Sequence, residues 1–159
     1  MVFALVNPRS LSGRTFGNPK ALRAIADVNN RELLRLELPS VTGTGEVRAV
    51  ARVYGSLATG GHELALRSTT LNEIEQDVKP TRDLVIRIDT SFTMGFMKRF
   101  VPFGSGPRAF GHTGAGGSFG FADPDTGVGY AYAMNRAGWA VPFDPRDIAL
   151  REALSRSIG

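Results

Sequence analysis

Residues 110–120 read FGHTGAGGSFG, and five of these eleven residues are glycine. Glycine lets other groups come close to the main chain and permits backbone dihedrals that side chains forbid. The runs on either side of this stretch are typical of strands. Packing in a core does not need so many glycines around one histidine and one threonine. We interpret it as the end of a strand that lines a ligand cleft, with His112 and Thr113 as its reactive side chains.

The composition excludes several classes of function. A chain of 159 residues that is 42% hydrophobic suits one globular domain or part of one. Its net charge of +4 comes from scattered basic residues, which argues against a nucleic-acid partner. There is no cysteine, and His62 and His112 lack the spacing of a metal site, so we expect neither a metal nor another cofactor. The first residues carry no secretory signal and no run could span a membrane, which by default indicates a cytoplasmic protein.

The periodicity of the chain changes near residue 80. The sequence before this point favours helices and the sequence after it favours strands, so we expect an α+β fold with 1–80 as a helical region and 81–159 as strands with a terminal helix. Predicted helices cover 19–27, 45–58, a stretch from Thr70 and a stretch from Asp144, the last with Leu150, Leu154 and Ile158 against the sheet. Predicted strands cover 84–88, 92–97, 118–122 and 128–134, the last two forming an antiparallel hairpin, whereas 9–20 reads as a loop.

Two motifs in the glycine-rich stretch are incomplete. Gly116–Gly120 has the letters of a G-x-S-x-G nucleophile elbow, but that elbow needs a sharp turn from a strand into a helix. Ser118 instead leads into a strand and a hairpin, and no histidine follows it. The dinucleotide fingerprint G-x-G-x-x-G fails because Phe119 stands where its third glycine belongs. We therefore interpret Ser118 as the first residue of a strand.

The segment that begins at His112 resembles the third motif of serine β-lactamases and penicillin-binding proteins, written K-T-G, with histidine in the lysine position. Segments 38–61, 121–124 and 132–135 extend the resemblance to the class C-type β-lactamase and esterase branch in the same order. The resemblance implies a partial β-lactamase/transpeptidase-like fold, with an antiparallel sheet, a C-terminal helix and part of the helical domain. The alternative is a tight strand exit in which His112 only binds a neighbouring carbonyl.

The same resemblance implies a role for each residue of the motif. His112 occupies the basic position, Thr113 supplies a hydroxyl to a substrate carboxylate or carbonyl, and the N–H of Ala115 completes an oxyanion hole. Gly114 and Gly116, with the glycine that follows, keep the backbone open. Histidine in place of lysine favours an esterase or peptidase-like activity over penicillin hydrolysis.

The first two motifs of the family are absent from the 159 residues. No serine lies three residues before a lysine, and no tyrosine or serine lies two residues before an asparagine, so S-x-x-K and Y-x-N are missing. We expect a C-terminal fragment of a serine hydrolase that is inactive alone, since no complete catalytic set is present. The alternatives are a noncatalytic ligand-binding domain and one half of a split enzyme. Expected partners are a small ester or amide substrate in the intact family, and an N-terminal polypeptide or a second copy at an unpaired sheet edge.

Overall fold

The computed structural model describes residues 7–18, 29–98, 104, 106–138 and 143–158. The chain separates into two compact units, one of Met1–Gly45 with Thr81–Asp89 and one of Glu46–Pro80 with Thr90–Gly159. Helices and an antiparallel sheet are both present, which confirms the predicted α+β class. Among the helices of the described ranges, none has the length and apolar character needed to cross a bilayer.

Two short helices and one short strand belong to the first unit. Helix α1 is Leu11–Phe16, α2 is Arg31–Leu34 and strand β1 is Thr81–Arg82. The loop predicted for 9–20 is wrong at α1, because the Ser10 side chain accepts a hydrogen bond from the Gly13 N–H and caps a helix there. The helix predicted for 19–27 lies outside the described residues.

The strand predicted for 84–88 is wrong, since these residues form a turn after β1. The Asp83 carboxylate accepts hydrogen bonds from the N–H groups of Val85 and Ile86, at 2.7 and 2.9 Å. Arg87 follows with a positive φ of 60°. A short acidic side chain that satisfies the backbone locally favours a turn over a strand, even where the following side chains are β-branched.

Three helices lie in the second unit: α3 is Val47–Ala58, α4 is Ser68–Glu75 and α5 is Pro145–Ile158. Helix α3 begins two residues later than the predicted 45–58, and α4 begins two residues before Thr70. Neither helix has a side-chain cap. The predicted end of α3 is confirmed, since the chain leaves it through Gly60 and Gly61, both with positive φ.

The sheet follows chain order, from β1 to β6, and the pairs from β2 onward are antiparallel. These five strands are β2 Asp89–Thr93, β3 Phe96–Lys98, β4 Phe110–Thr113, β5 Phe119–Asp123 and β6 Val128–Tyr132. The single strand predicted for 92–97 is wrong, because Gly95, at a φ of 90°, turns the chain between β2 and β3. The predicted hairpin of β5 and β6 is confirmed. Within the described ranges β6 pairs on one side only, with β5.

Apolar side chains pack on both faces of the sheet. One cluster joins α3 and α4 to the sheet and consists of Leu57, Ala58, Leu71, Ile74, Phe110 and Ala122. The other cluster has four buried members, Met97, Ala109, Phe119 and Phe121, with Tyr130 and Leu154 packed against them. The sheet around β4 and β5 is therefore held from two sides.

The face that α5 turns inward differs from the predicted one. Of the three predicted residues Leu154 packs on a core cluster, whereas Leu150 and Ile158 are 52% and 47% exposed. Asp147 is buried instead, accepting hydrogen bonds from the Tyr130 hydroxyl at 3.0 Å and the Arg151 Nε at 2.8 Å. The helix is thus anchored by a polar network as well as by a leucine.

Candidate functional site

Strand β4 carries the predicted site residues out of the core. Phe110 and Gly111 are buried, His112 is exposed and Thr113 is half-buried. The register with β5 is fixed at both residues, since His112 lies opposite Gly120 and Thr113 lies opposite Phe119. The strand therefore holds these two side chains on a rigid element at the point where it reaches the surface.

The imidazole of His112 contacts the main chain beside it. Its Nδ1 lies 2.6 Å from the carbonyl oxygen of Thr113. A carbonyl oxygen only accepts hydrogen bonds, so the Nδ1 of His112 is the donor in this contact. The ring is also near Phe92, with 6.0 Å between the ring centroids. His112 thus makes the carbonyl contact of the alternative interpretation while its ring stays exposed.

A tight turn follows the strand. The Gly114 N–H donates to the Ser118 carbonyl at 2.7 Å, and the Gly117 N–H donates to the Gly114 carbonyl at 3.2 Å. Gly116 and Gly117 have φ values of 92° and 111°, in the region that favours glycine. Ala115 is exposed, and its N–H has no acceptor among the residues that the structure describes. An exposed N–H on an otherwise bonded turn is able to bind an oxyanion.

Ser118 has a packing position. It is half-buried at the entrance to β5, and its Oγ occupies the space that a Cβ on Gly114 would need. It stands before a strand and a hairpin rather than a helix, which agrees with its interpretation as a strand-start residue.

An ion pair between Asp144 and Arg146 lies behind the turn. From the sequence, Asp144 is predicted only as the start of a helix. The Asp144 carboxylate is 3% exposed and receives two hydrogen bonds from the Arg146 guanidinium, from Nε at 2.9 Å and from Nη2 at 2.6 Å. These bonds lower the pKa of Asp144 below its usual value. A Cβ on Gly117 would overlap the Asp144 Oδ2, so carboxylate and turn are in contact. The sequence Asp-Pro-Arg at 144–146 is typical of a capped helix start and does not by itself indicate an ion pair with the turn.

Within the described parts of the chain, no three His, Asp or Glu side chains come together to hold a metal ion. The site is thus a set of organic donors and acceptors: the His112 imidazole, the Thr113 hydroxyl and the Ala115 N–H. Such a set can bind a carbonyl or a carboxylate.

Known proteins share both this sequence and this fold. The family model named Beta-lactamase matches residues 7–155. The Esterase/beta-lactamase LipL of Mycobacterium tuberculosis (strain ATCC 25618 / H37Rv) is 38% identical over 120 residues, which are 71% of this chain and 27% of LipL. The resemblance derived from the His112 segment is therefore confirmed.

Two solved structures are similar to the chain. A penicillin-binding protein homologue from Caulobacter crescentus is 38% identical with a TM-score of 0.71, over 79% of this chain and 35% of that protein. A family VIII carboxylesterase is 36% identical with a TM-score of 0.71, over 80% of this chain and 36% of that protein. These likenesses confirm the predicted fold relationship. The chain spans about a quarter to a third of the length of these relatives.

Proposed function

Because the chain belongs to the beta-lactamase family, we propose that it forms the third-motif part of an acyl-hydrolase site of the serine esterase type. The names of two relatives support the esterase direction, one being called an esterase/beta-lactamase and the other a carboxylesterase. The observation that carries the proposal is the exposed end of β4, where His112 is followed three residues later by an Ala115 N–H that has no acceptor within the described ranges.

Each residue of this strand end has a distinct task in the proposal. The Ala115 N–H donates to the oxyanion that develops when a carbonyl is attacked. At the strand end the His112 imidazole, on the α3 face of the sheet, and the Thr113 hydroxyl, on the other face, contact the polar part of the substrate from two sides. Gly114 and Gly116 allow the turn to pack tightly, since a Cβ on Gly114 would meet the Ser118 Oγ and a Cβ on Gly116 would meet Ala137.

The reaction also needs a nucleophile, which the 159 residues do not offer in the family's form. An acyl-enzyme forms only when a serine is activated by a neighbouring base. S-x-x-K and Y-x-N do not occur in the sequence. We therefore propose that these residues take part in ester hydrolysis only together with a segment that carries these motifs, on the same or on another polypeptide.

The test uses a short-chain nitrophenyl ester. The purified chain is assayed alone and mixed with the part of LipL that lies outside the matched residues, and nitrophenolate release is followed. We expect no turnover by the chain alone and turnover in the mixture. Turnover by the chain alone that a serine-acylating reagent abolishes would show that another nucleophile exists and contradict the proposal.

The two histidines of the chain provide a matched pair of variants. His112→Ala should lower kcat/KM in the mixture by at least tenfold, since a positioned polar group in the site is lost. His62→Ala, on an exposed turn outside the site, should leave the rate unchanged. Equal kcat/KM values for the two variants would show that His112 has no role in the site. Binding of an ester analogue, measured by calorimetry, without turnover in any mixture would favour the noncatalytic alternative.

A further inference from the structure

We propose that the ion pair of buried Asp144 and exposed Arg146 positions the turn 114–117, and so sets the direction of the Ala115 N–H. This inference rests on the proposed function for its catalytic meaning, although the positioning itself is a property of the fold. Asp144 and Arg146 would act as positioning residues, because neither has a contact that places it against a substrate.

The pair is held in one geometry by several bonds. Besides the two bonds from its guanidinium, Arg146 donates its own N–H to the Asp144 Oδ1 at 3.0 Å. The remaining guanidinium nitrogen, Nη1, donates to the carbonyl oxygen of Arg136 at 3.0 Å. A bidentate arginine–carboxylate pair is more directional than a single bond, so it fixes the orientation of both side chains.

The ion pair holds the turn through one direct contact and one indirect contact. The first is direct, because the Asp144 Oδ2 lies against the Cα of Gly117, where no side chain would fit. The second passes through the segment 134–138, which Arg146 holds at the Arg136 carbonyl. From this segment the Gly138 N–H donates to the Gly116 carbonyl at 2.7 Å. The backbone at Gly116 and Gly117, directly after Ala115, is thus tied at two points to one ion pair.

The turn needs such support, because its conformation is not the one a free chain favours. Two consecutive glycines with positive φ lose much conformational freedom on ordering, and glycine loses more than other residues. A catalytic donor has to stay within a few tenths of an ångström of its acceptor position, which makes order in this turn a functional requirement.

Amide hydrogen exchange in the intact chain tests the positioning without any need for turnover. Asp144→Asn removes the charge from the pair, while asparagine caps helix α5 as well as aspartate does. We expect exchange of the Gly117 and Gly138 N–H groups to become at least tenfold faster, and exchange within β5 and β6 to stay unchanged. Asp125→Asn is the control, since Asp125 forms a comparable pair with Arg108 at the other end of β5.

Two results of the exchange experiment would overturn the inference. One is unchanged exchange at Gly117 and Gly138 in Asp144→Asn. The other is equal acceleration throughout β5 and β6, which would mean that the pair stabilises the whole domain rather than the turn.

A kinetic readout connects the pair to catalysis. In the active mixture Asp144→Asn should lower kcat at least tenfold with little change in KM, because the oxyanion forms only in the transition state. If the unmodified mixture has no activity, the proposed function fails while the exchange data still decide the positioning. An unchanged kcat in an active mixture would overturn the catalytic part of the inference.

Discussion

Gly129→Ala should destabilise the chain through a clash that no side-chain rotation relieves. A Cβ on Gly129 would lie 2.5 Å from the carbonyl carbon of Tyr54, and nearer still to backbone atoms of Gly55. Ordinary carbon contacts are about 3.5–4.0 Å long, so α3 and β6 would have to separate by about 1 Å or more. The neighbouring atoms are backbone atoms of a helix, which moves only as a unit.

Crowding of a packed core costs about 1–3 kcal/mol, and we expect the upper end here because backbone has to move. For a chain of this size about 3 kcal/mol corresponds to a fall in Tm of about 6–12 °C. Thermal unfolding followed by circular dichroism measures this shift. A Gly129→Ala variant that melts within about 2 °C of the unmodified chain would refute the close approach of α3 to β6.

Gly55, the partner in this contact, provides the matched control. A Cβ on Gly55 meets nothing within 4 Å beyond its own helix, so it would point away from β6. Alanine within a helix is about 0.5–1 kcal/mol more stable than glycine, so Gly55→Ala should raise Tm by about 1–4 °C. A lower Tm for Gly129→Ala and a higher Tm for Gly55→Ala would show that the crowding lies on the side of Gly55 that faces β6. An equal fall in Tm for both variants would contradict this.

Two further predictions concern charged side chains. Bonds from Arg146 and Arg108 hold the pKa values of Asp144 and Asp125 below the usual 3.8, so their contribution to stability is complete above that pH and is lost as the pH falls through the lowered values. Urea unfolding between pH 2 and 7 should show this loss, and Asp144→Asn should flatten the curve; an equally steep curve would exclude Asp144 as a source. Lys98→Met should cost about 1–3 kcal/mol, because the Lys98 Nζ donates to two backbone carbonyls, at 2.7 and 2.9 Å, that lose this donor. Exposed Lys79→Met should change the urea midpoint little, and a similar loss in both variants would contradict the role of the buried ammonium.

The sequence predicted those features that depend on local signals. The hairpin after Asp123 was predictable because its turn residues and the alternation on both sides agree. The helix that ends at Ala58 was predictable from its apolar spacing and the glycines after it. The strand end at His112 was predictable because a dense group of glycines beside a histidine and a threonine has few structural uses.

The wrong predictions occur where a side chain or an element distant in sequence determines the backbone conformation or the buried face. Asp83 bonds two N–H groups and turns a stretch of β-branched residues away from a strand. On α5 the buried face is decided by the hydroxyl of Tyr130, which makes Asp147 the inward residue and leaves Leu150 in solvent. These features depend on which residues Asp83 and Asp147 bond in the folded chain. The periodicity of one segment does not contain that information.

The register of the sheet determines on which face His112 lies. Residues directly opposite each other in an antiparallel pair share a face, so His112 lies on the same face as Gly120. That face is the one covered by α3, since a Cβ on Gly120 would meet the Tyr54 ring. Two residues earlier on the same face Phe110 is 0% exposed, whereas His112 is open to solvent. The cover of the sheet therefore ends between these two residues, and the proposed site requires a nucleophile that approaches His112 at this boundary, on the α3 side of the sheet.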